Sequence, residues 1–121
     1  MITPNISFNI GLNKAMLIGN IGADPIIHTL EGMERVAKFS LATDESYKDD
    51  KGQMQVNMEW HSIVLWRGLA DLAEKYIHKG SLVYIEGKIK TRSYEDKQGV
   101  KKYVTEVIGE SITLLDKKEQ D

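Results

Sequence analysis

The chain has 121 residues, 41% hydrophobic and 28% charged, with a formal net charge of −2, which fits one globular domain with a core of its own and excludes two. It has no cysteine, so disulfides and thiolate-held metals are excluded, and no apolar run approaches the ~20 residues of a membrane span. The opening Met-Ile-Thr-Pro-Asn-Ile lacks the basic-then-apolar order of a secretory signal, and a cytoplasmic protein is expected.

In chain order, Ile6, Phe8, Ile10 and Leu12 are apolar at every second position, which predicts an extra strand or extended arm over residues 1–12. Lys14 to Asn20 reads as a short strand ending in the turn-rich Gly19-Asn20-Ile21-Gly22, and Asp24-Pro25 marks another turn. Ile26 to Leu30 predicts a short strand, and Gly32 turns the chain into a further strand over Arg35 to Thr43. Residues 44–57 are mostly polar and read as a long loop of the kind that carries function. Residues 58–66, Met-Glu-Trp-His-Ser-Ile-Val-Leu-Trp, form the next strand.

From Gly68 to Lys79 the period changes. Leu69, Leu72, Ala73, Tyr76 and Ile77 make one apolar helical stripe, and Gly80 stands where a helix-ending glycine belongs. Ser81 to Thr91 is a strand with Val83, Ile85 and Ile89 on one face and Tyr84, Lys88 and Lys90 on the other. Gly87 inside it predicts a bulge or bend. Arg92 to Gly99 reads as a polar hairpin loop, and Lys101 to Leu115 as a last strand broken near Gly109. The final charged residues, 116–121, follow the domain proper at 13–115.

Alternation along residues 58–66 puts Trp60, Ser62, Val64 and Trp66 on one strand face and His61, Ile63 and Leu65 on the other. The two indoles would stand about 20 Å apart on one surface. Residues 79–103 carry seven lysines and arginines against three carboxylates, which leaves the remaining chain acidic. Flat aromatics on a sheet, with cations beside them, suit unpaired bases and their phosphates. Five strands with one α-helix between strands 3 and 4 match the order of a mainly all-β Greek-key barrel, the oligonucleotide/oligosaccharide-binding (OB) fold, which binds across its second and third strands.

Specific stretches then resemble the bacterial single-stranded DNA-binding protein family: Leu17-Ile18-Gly19-Asn20-Ile21-Gly22, Asp24-Pro25, Phe39-Ser40-Leu41-Ala42-Thr43, Glu59-Trp60-His61, Val83-Tyr84-Ile85-Glu86-Gly87 and Thr91-Arg92, in order. The resemblance covers roughly residues 13–115. It implies a homotetramer that stacks single-stranded DNA on Tyr47, Trp60, Trp66 and Tyr94 and meets phosphates with Lys14, Lys48, Lys51, Arg67, Lys79, Lys88, Lys90, Arg92 and Lys97. It also implies a role for His61 at the contact between subunits, and work on nucleoid DNA in replication, recombination and repair. Tyr47 and Tyr94 stand where the family often has tryptophan, which keeps a stacking face of smaller area. Glu31 and Glu34 are acidic near a position, His28, where the family often has arginine. The family usually continues into a flexible tail with an acidic tip that recruits repair and replication enzymes. The sequence stops at Asp121 without one, so recruitment by that route is not expected of these residues.

Two other classes compete. Asp44, Glu45, Asp49 and Asp50 could hold the metal of a nuclease, but the interleaved lysines make them a solvated loop, and no nucleophile–base pair or phosphate-binding glycine loop accompanies them. The expectation is no catalysis, no metal and no cofactor. A protein-interaction barrel that has lost nucleic-acid binding would suit the pI near 5.9, yet it leaves the four aromatics unexplained.

Overall fold

Strand alternation builds a barrel in the computed structural model, which describes residues 11–116. The elements are β1 (Ala15–Ile21), β2 (Ile26–Thr29), β3 (Arg35–Asp44), β4 (Tyr47–Lys48), β5 (Met54–Gln55), β6 (Met58–Trp66), α1 (Gly68–Tyr76), β7 (Leu82–Glu95) and β8 (Lys101–Leu114). Five long strands close in the order β1-β7-β8-β6-β3 and back to β1, with β2 added on the free edge of β3. Every pairing is antiparallel except that of β6 with β8. This is the expected OB barrel with its helix between the third and fourth barrel strands.

The period of two decides what lies inside. Ile21, Phe39, Leu41, Ile63, Leu65, Val83, Ile85 and Val107 point inward and form one core. Each such side chain contributes about 1.5–3 kcal/mol by leaving water. The helix closes the barrel with Ala70 and Ala73, followed by Ile77. Arg35 on β3 ties it down by forking to Asp71 at 3.0 Å and Glu74 at 2.7 Å.

Gly87 is the bend the sequence predicts. The β7–β8 register shifts between Glu86 and Gly87, leaving Glu110 as the extra residue of a bulge. The strand expected to break near Gly109 therefore continues across it. At this crossing the β7 and β8 backbones nearly touch, since a Cβ on Gly87 would sit 2.1 Å from the Ile108 carbonyl oxygen, while one on Gly109 would sit 2.4 Å from the Leu65 side chain at Cδ2.

Four expectations need correction. The helix ends at Tyr76, because Ile77 turns to extended backbone at φ −107°, ψ 133°. Gly80 accordingly serves the tight turn His78–Ser81, at φ +91°, and does not terminate the helix. The loop over 44–57 is a short hairpin, β4 against β5, whose turn is fastened by Asp49 accepting the N–H groups of Lys51 and Gln53 at 2.9 Å. The loop expected at Arg92 to Gly99 is mostly strand, since Arg92 to Glu95 pair with Val104 to Lys101. The arm expected over residues 1–12 lies, up to Ile10, outside the described residues.

Candidate nucleic-acid interface

The parallel pairing of β6 and β8 shapes this surface. The two strands meet only at Ile63–Val107 and Val64–Ile108. Upstream of that contact they part, so both leave the barrel on the same side as two ribbons. One continues β3 and β6 into the β4–β5 hairpin, because Glu45 N–H bonds the Asn57 carbonyl at 2.7 Å. The other is the arm formed by the distal halves of β7 and β8. Between them lies a cleft of about 370 Å³ lined by Trp60, His61, Ser62, Ile89 and Thr105.

Register sets the outer face. Trp60, Ser62, Val64 and Trp66 lie opposite Ala42, Ser40, Lys38 and Val36. Ile108 adjoins Val64, and the same face continues through Glu106, Val104 and Lys102 to Lys90, Arg92 and Tyr94. The tryptophans thus share a face, but their settings differ. Trp60 is 57% exposed. Its indole rests on Gly22, where an added Cβ would come within 2.6 Å of Cζ3 and 2.8 Å of the Ser40 hydroxyl. Trp66 is half-buried above Val36 and lines a groove of about 260 Å³ with His28, Leu30, Val36 and Lys38. Tyr47, on β4, is 57% exposed, and Tyr94, near the end of the arm, 46%.

The support beneath Trp60 can be tested without a ligand. Gly22→Ala should push the indole off its seat, so tryptophan emission shifts to the red and acrylamide quenching increases. Trp66, distant on the same strand, serves as the constant background. An unchanged spectrum would mean that Gly22 does not carry the ring.

The nine basic residues expected to meet phosphate divide in two. Lys48, Lys51, Lys79, Lys90 and Lys97 pair with no carboxylate among the described residues. The other four are engaged. Lys14 meets Glu86 at 2.7 Å, which raises the lysine pKa and, helped by the Tyr84 hydroxyl, holds the Glu86 carboxyl below its usual range. Arg67 meets Glu34 at 2.8 Å, and Lys88 meets Glu110 at 3.7 Å.

Arg92 is the most firmly held. Its Nε and Nη2 donate to the two carboxylate oxygens of buried Glu106 at 2.9 and 3.2 Å. That pair raises the Arg92 pKa further. A half-exposed arginine over a buried carboxylate is a structural tie at the root of the arm as much as a free cation.

Sequence reasoning passed over Lys38 and Gly22. Lys38 is the cation beside Trp66, and its signal was available: it alternates with Val36 and Ser40 along β3, on the face opposite Phe39. Gly22 carried no such signal, because its role depends on the end of β1 pairing with β3, which brings Gly22 beside Ser40 under the Trp60 ring. His61 lies on the inward side of β6, half-buried at the rim of the cleft, with Nε2 3.1 Å from the Thr43 hydroxyl. Among the described residues, no group of three or more histidines and carboxylates could hold a metal ion.

Comparison with known proteins agrees with this geometry. The sequence model of the single-strand binding protein family matches residues 12–115. Single-stranded DNA-binding protein 1 of Chlorobaculum tepidum is 46% identical over 110 residues, covering 90% of this chain and 68% of that protein. The single-stranded DNA-binding protein of Neisseria meningitidis serogroup A is 39% identical over 104 residues, covering 86% of this chain and 60% of its own length. Among solved structures, that of Plasmodium falciparum SSB in complex with ssDNA superposes with a TM-score of 0.78 at 38% identity, covering 91% of this chain and all of that one.

Proposed function

We propose that this chain, which belongs to the single-strand binding protein family, binds single-stranded DNA without reading its sequence and without chemistry of its own. It covers strands exposed in replication, recombination and repair, in the cytoplasm on nucleoid DNA. The observation that carries the reading is the exposed Trp60 indole, standing at the base of two ribbons that each carry an exposed tyrosine. A base stacks on a flat aromatic whatever its identity, so this arrangement gives affinity without a sequence code.

Trp60 and Trp66 are the main stacking platforms, with Tyr47 and Tyr94 closing from the ribbons. Lys48, Lys51, Lys79, Lys90 and Lys97 meet phosphates directly. Lys14, Arg67, Lys88 and Arg92 do so by exchanging a carboxylate for a phosphate. The active unit is a homotetramer. Exposed Met16 and Ile18 on the outer face of β1, opposite Glu86 and Tyr84, support subunit packing there. Half-buried His61 at the cleft rim supports a second contact.

The test is tryptophan fluorescence during titration with a long oligo-thymidine strand at low and then high salt. Strong quenching at a fixed nucleotide stoichiometry is expected, with affinity falling steeply as salt rises because each neutralised phosphate releases counterions. The strand should be recovered intact with magnesium or manganese present. No quenching and no binding at low salt would overturn the reading.

A further inference from the structure

We propose that the arm has a second stacking surface on its other face, with Tyr103 as the platform and Lys101 as the cation that meets the phosphate. This rests on the single-stranded DNA reading above and extends the path of the strand around the arm.

Register separates the two faces of the arm. Lys90, Arg92, Tyr94 and Lys102 lie on the outer face, while Thr91, Ser93, Tyr103 and Thr105 lie on the opposite one. Tyr103 is 67% exposed, more than Trp60 or either tyrosine already assigned to stacking. Lys101 Nζ lies over the Tyr103 ring, 5.6 Å from its centroid, so a cation is at hand to move onto the phosphate of a stacked nucleotide.

Around Tyr103 this face is small and hydroxylic, with Glu95 opposite Lys101 and half-exposed Ile89 nearer the barrel. Ser93 sits opposite Tyr103, and the hydroxyls of Thr91 and Thr105 bond each other at 2.9 Å. A floor of serine and threonine leaves the ring exposed, so a flat base can stack on it once Lys101 swings from the ring to the phosphate. It also offers little of the apolar area that a subunit contact buries.

Charge selects the occupant. Residues 88–103 carry Lys88, Lys90, Arg92, Lys97, Lys101 and Lys102 against Glu95 and Asp96. Although Lys88, Arg92 and Lys102 meet carboxylates, Lys90, Lys97 and Lys101 pair with none among the described residues. A ribbon this basic, continuous at its edge with the face bearing Tyr94, complements a polyanion that passes from one side to the other. A tyrosine in the hairpin of a nucleic-acid binder meets bases in the same way from either side, since every base has a π-face.

The experiment compares wild type with Tyr103→Ala, Tyr103→Phe and Lys101→Gln. Affinity is measured at fixed salt for a short oligo-thymidine and for a long one, with oligomeric state followed by sedimentation. Tyr103→Ala should weaken long-strand binding by roughly five- to tenfold and reduce the nucleotides covered per subunit. It should leave the short strand, held by the outer face, nearly unaffected. Tyr103→Phe should restore binding because the ring remains, and Lys101→Gln should flatten the salt dependence by about one phosphate contact.

Wild-type affinity for the long strand in Tyr103→Ala overturns the proposal while leaving the single-stranded DNA reading intact. A change of oligomeric state overturns it too, because Tyr103 would then be a subunit contact. Failure of wild type itself to bind removes both readings at once.

Discussion

Trp60→Ala lowers affinity for oligo-thymidine by about tenfold or more, and leaves the melting temperature within a few degrees of wild type. Stacking is worth ~1–3 kcal/mol per base by alanine substitution, and each 1.4 kcal/mol is tenfold. The stability side follows from placement. Trp60 points away from the core formed by Ile63 and Leu65 on the same strand, and more than half of it already stands in water. Its loss therefore empties no cavity.

Trp66→Ala behaves differently, because its half-buried ring covers the fully buried Val36. Some stability goes with its share of affinity. The double variant should lose well over tenfold in binding and still fold. Trp60→Ala also leaves Trp66 as the sole tryptophan, since the chain has two. Residual quenching by the strand then reads directly whether bases reach Trp66. A Trp60→Ala protein that titrates like wild type at matched salt would remove Trp60 from the interface.

Much of this surface was legible before any coordinates. The alternation over 58–66 put Trp60 and Trp66 on one face, and the register agrees. The strand-helix order pointed to the barrel because a period of two and one switch to a period near 3.6 are local properties. What stayed hidden depends on contacts distant in sequence. That Arg92 is tied to Glu106 requires the β7–β8 register, and that Gly22 seats Trp60 requires the β1–β3 pairing. The far parts of the two ribbons, residues 44–57 and 92–99, read as loops in the sequence because Lys48, Asp49, Lys51 and Arg92 are polar. A two-stranded ribbon in solvent on both faces has no apolar side to reveal its period. The helix was read too long for a related reason: Ile77 continues the helical stripe, yet it buries into the core from extended backbone.

Gly87→Ala should cost about 3 kcal/mol or more and lower the melting temperature by roughly 10 °C. The added Cβ would sit 2.1 Å from the carbonyl oxygen of Ile108, 2.8 Å from its carbonyl carbon and 2.9 Å from Cα of Gly109. All three are backbone atoms in the strand facing it, so no rotamer change relieves the contact. The chain can accommodate the methyl only by parting β7 from β8 at the bulge. That crossing lies where the core halves of these strands, with Val83 and Ile85 buried, give way to the exposed arm. Its loosening therefore reaches function as well as stability. Tyr94, Lys90 and the Arg92–Glu106 tie all lie beyond the bend, so their placement relative to Trp60 depends on the angle that Gly87 permits. Below its melting temperature the variant should retain quenching of Trp60 by a short strand while losing affinity for a long one. Hydrogen exchange should rise first at Ile89 and Val107, the pair just beyond the crossing on the inward face. A Gly87→Ala protein with wild-type melting and wild-type exchange there would mean that the two backbones do not approach so closely, and that something other than this glycine sets the course of the arm.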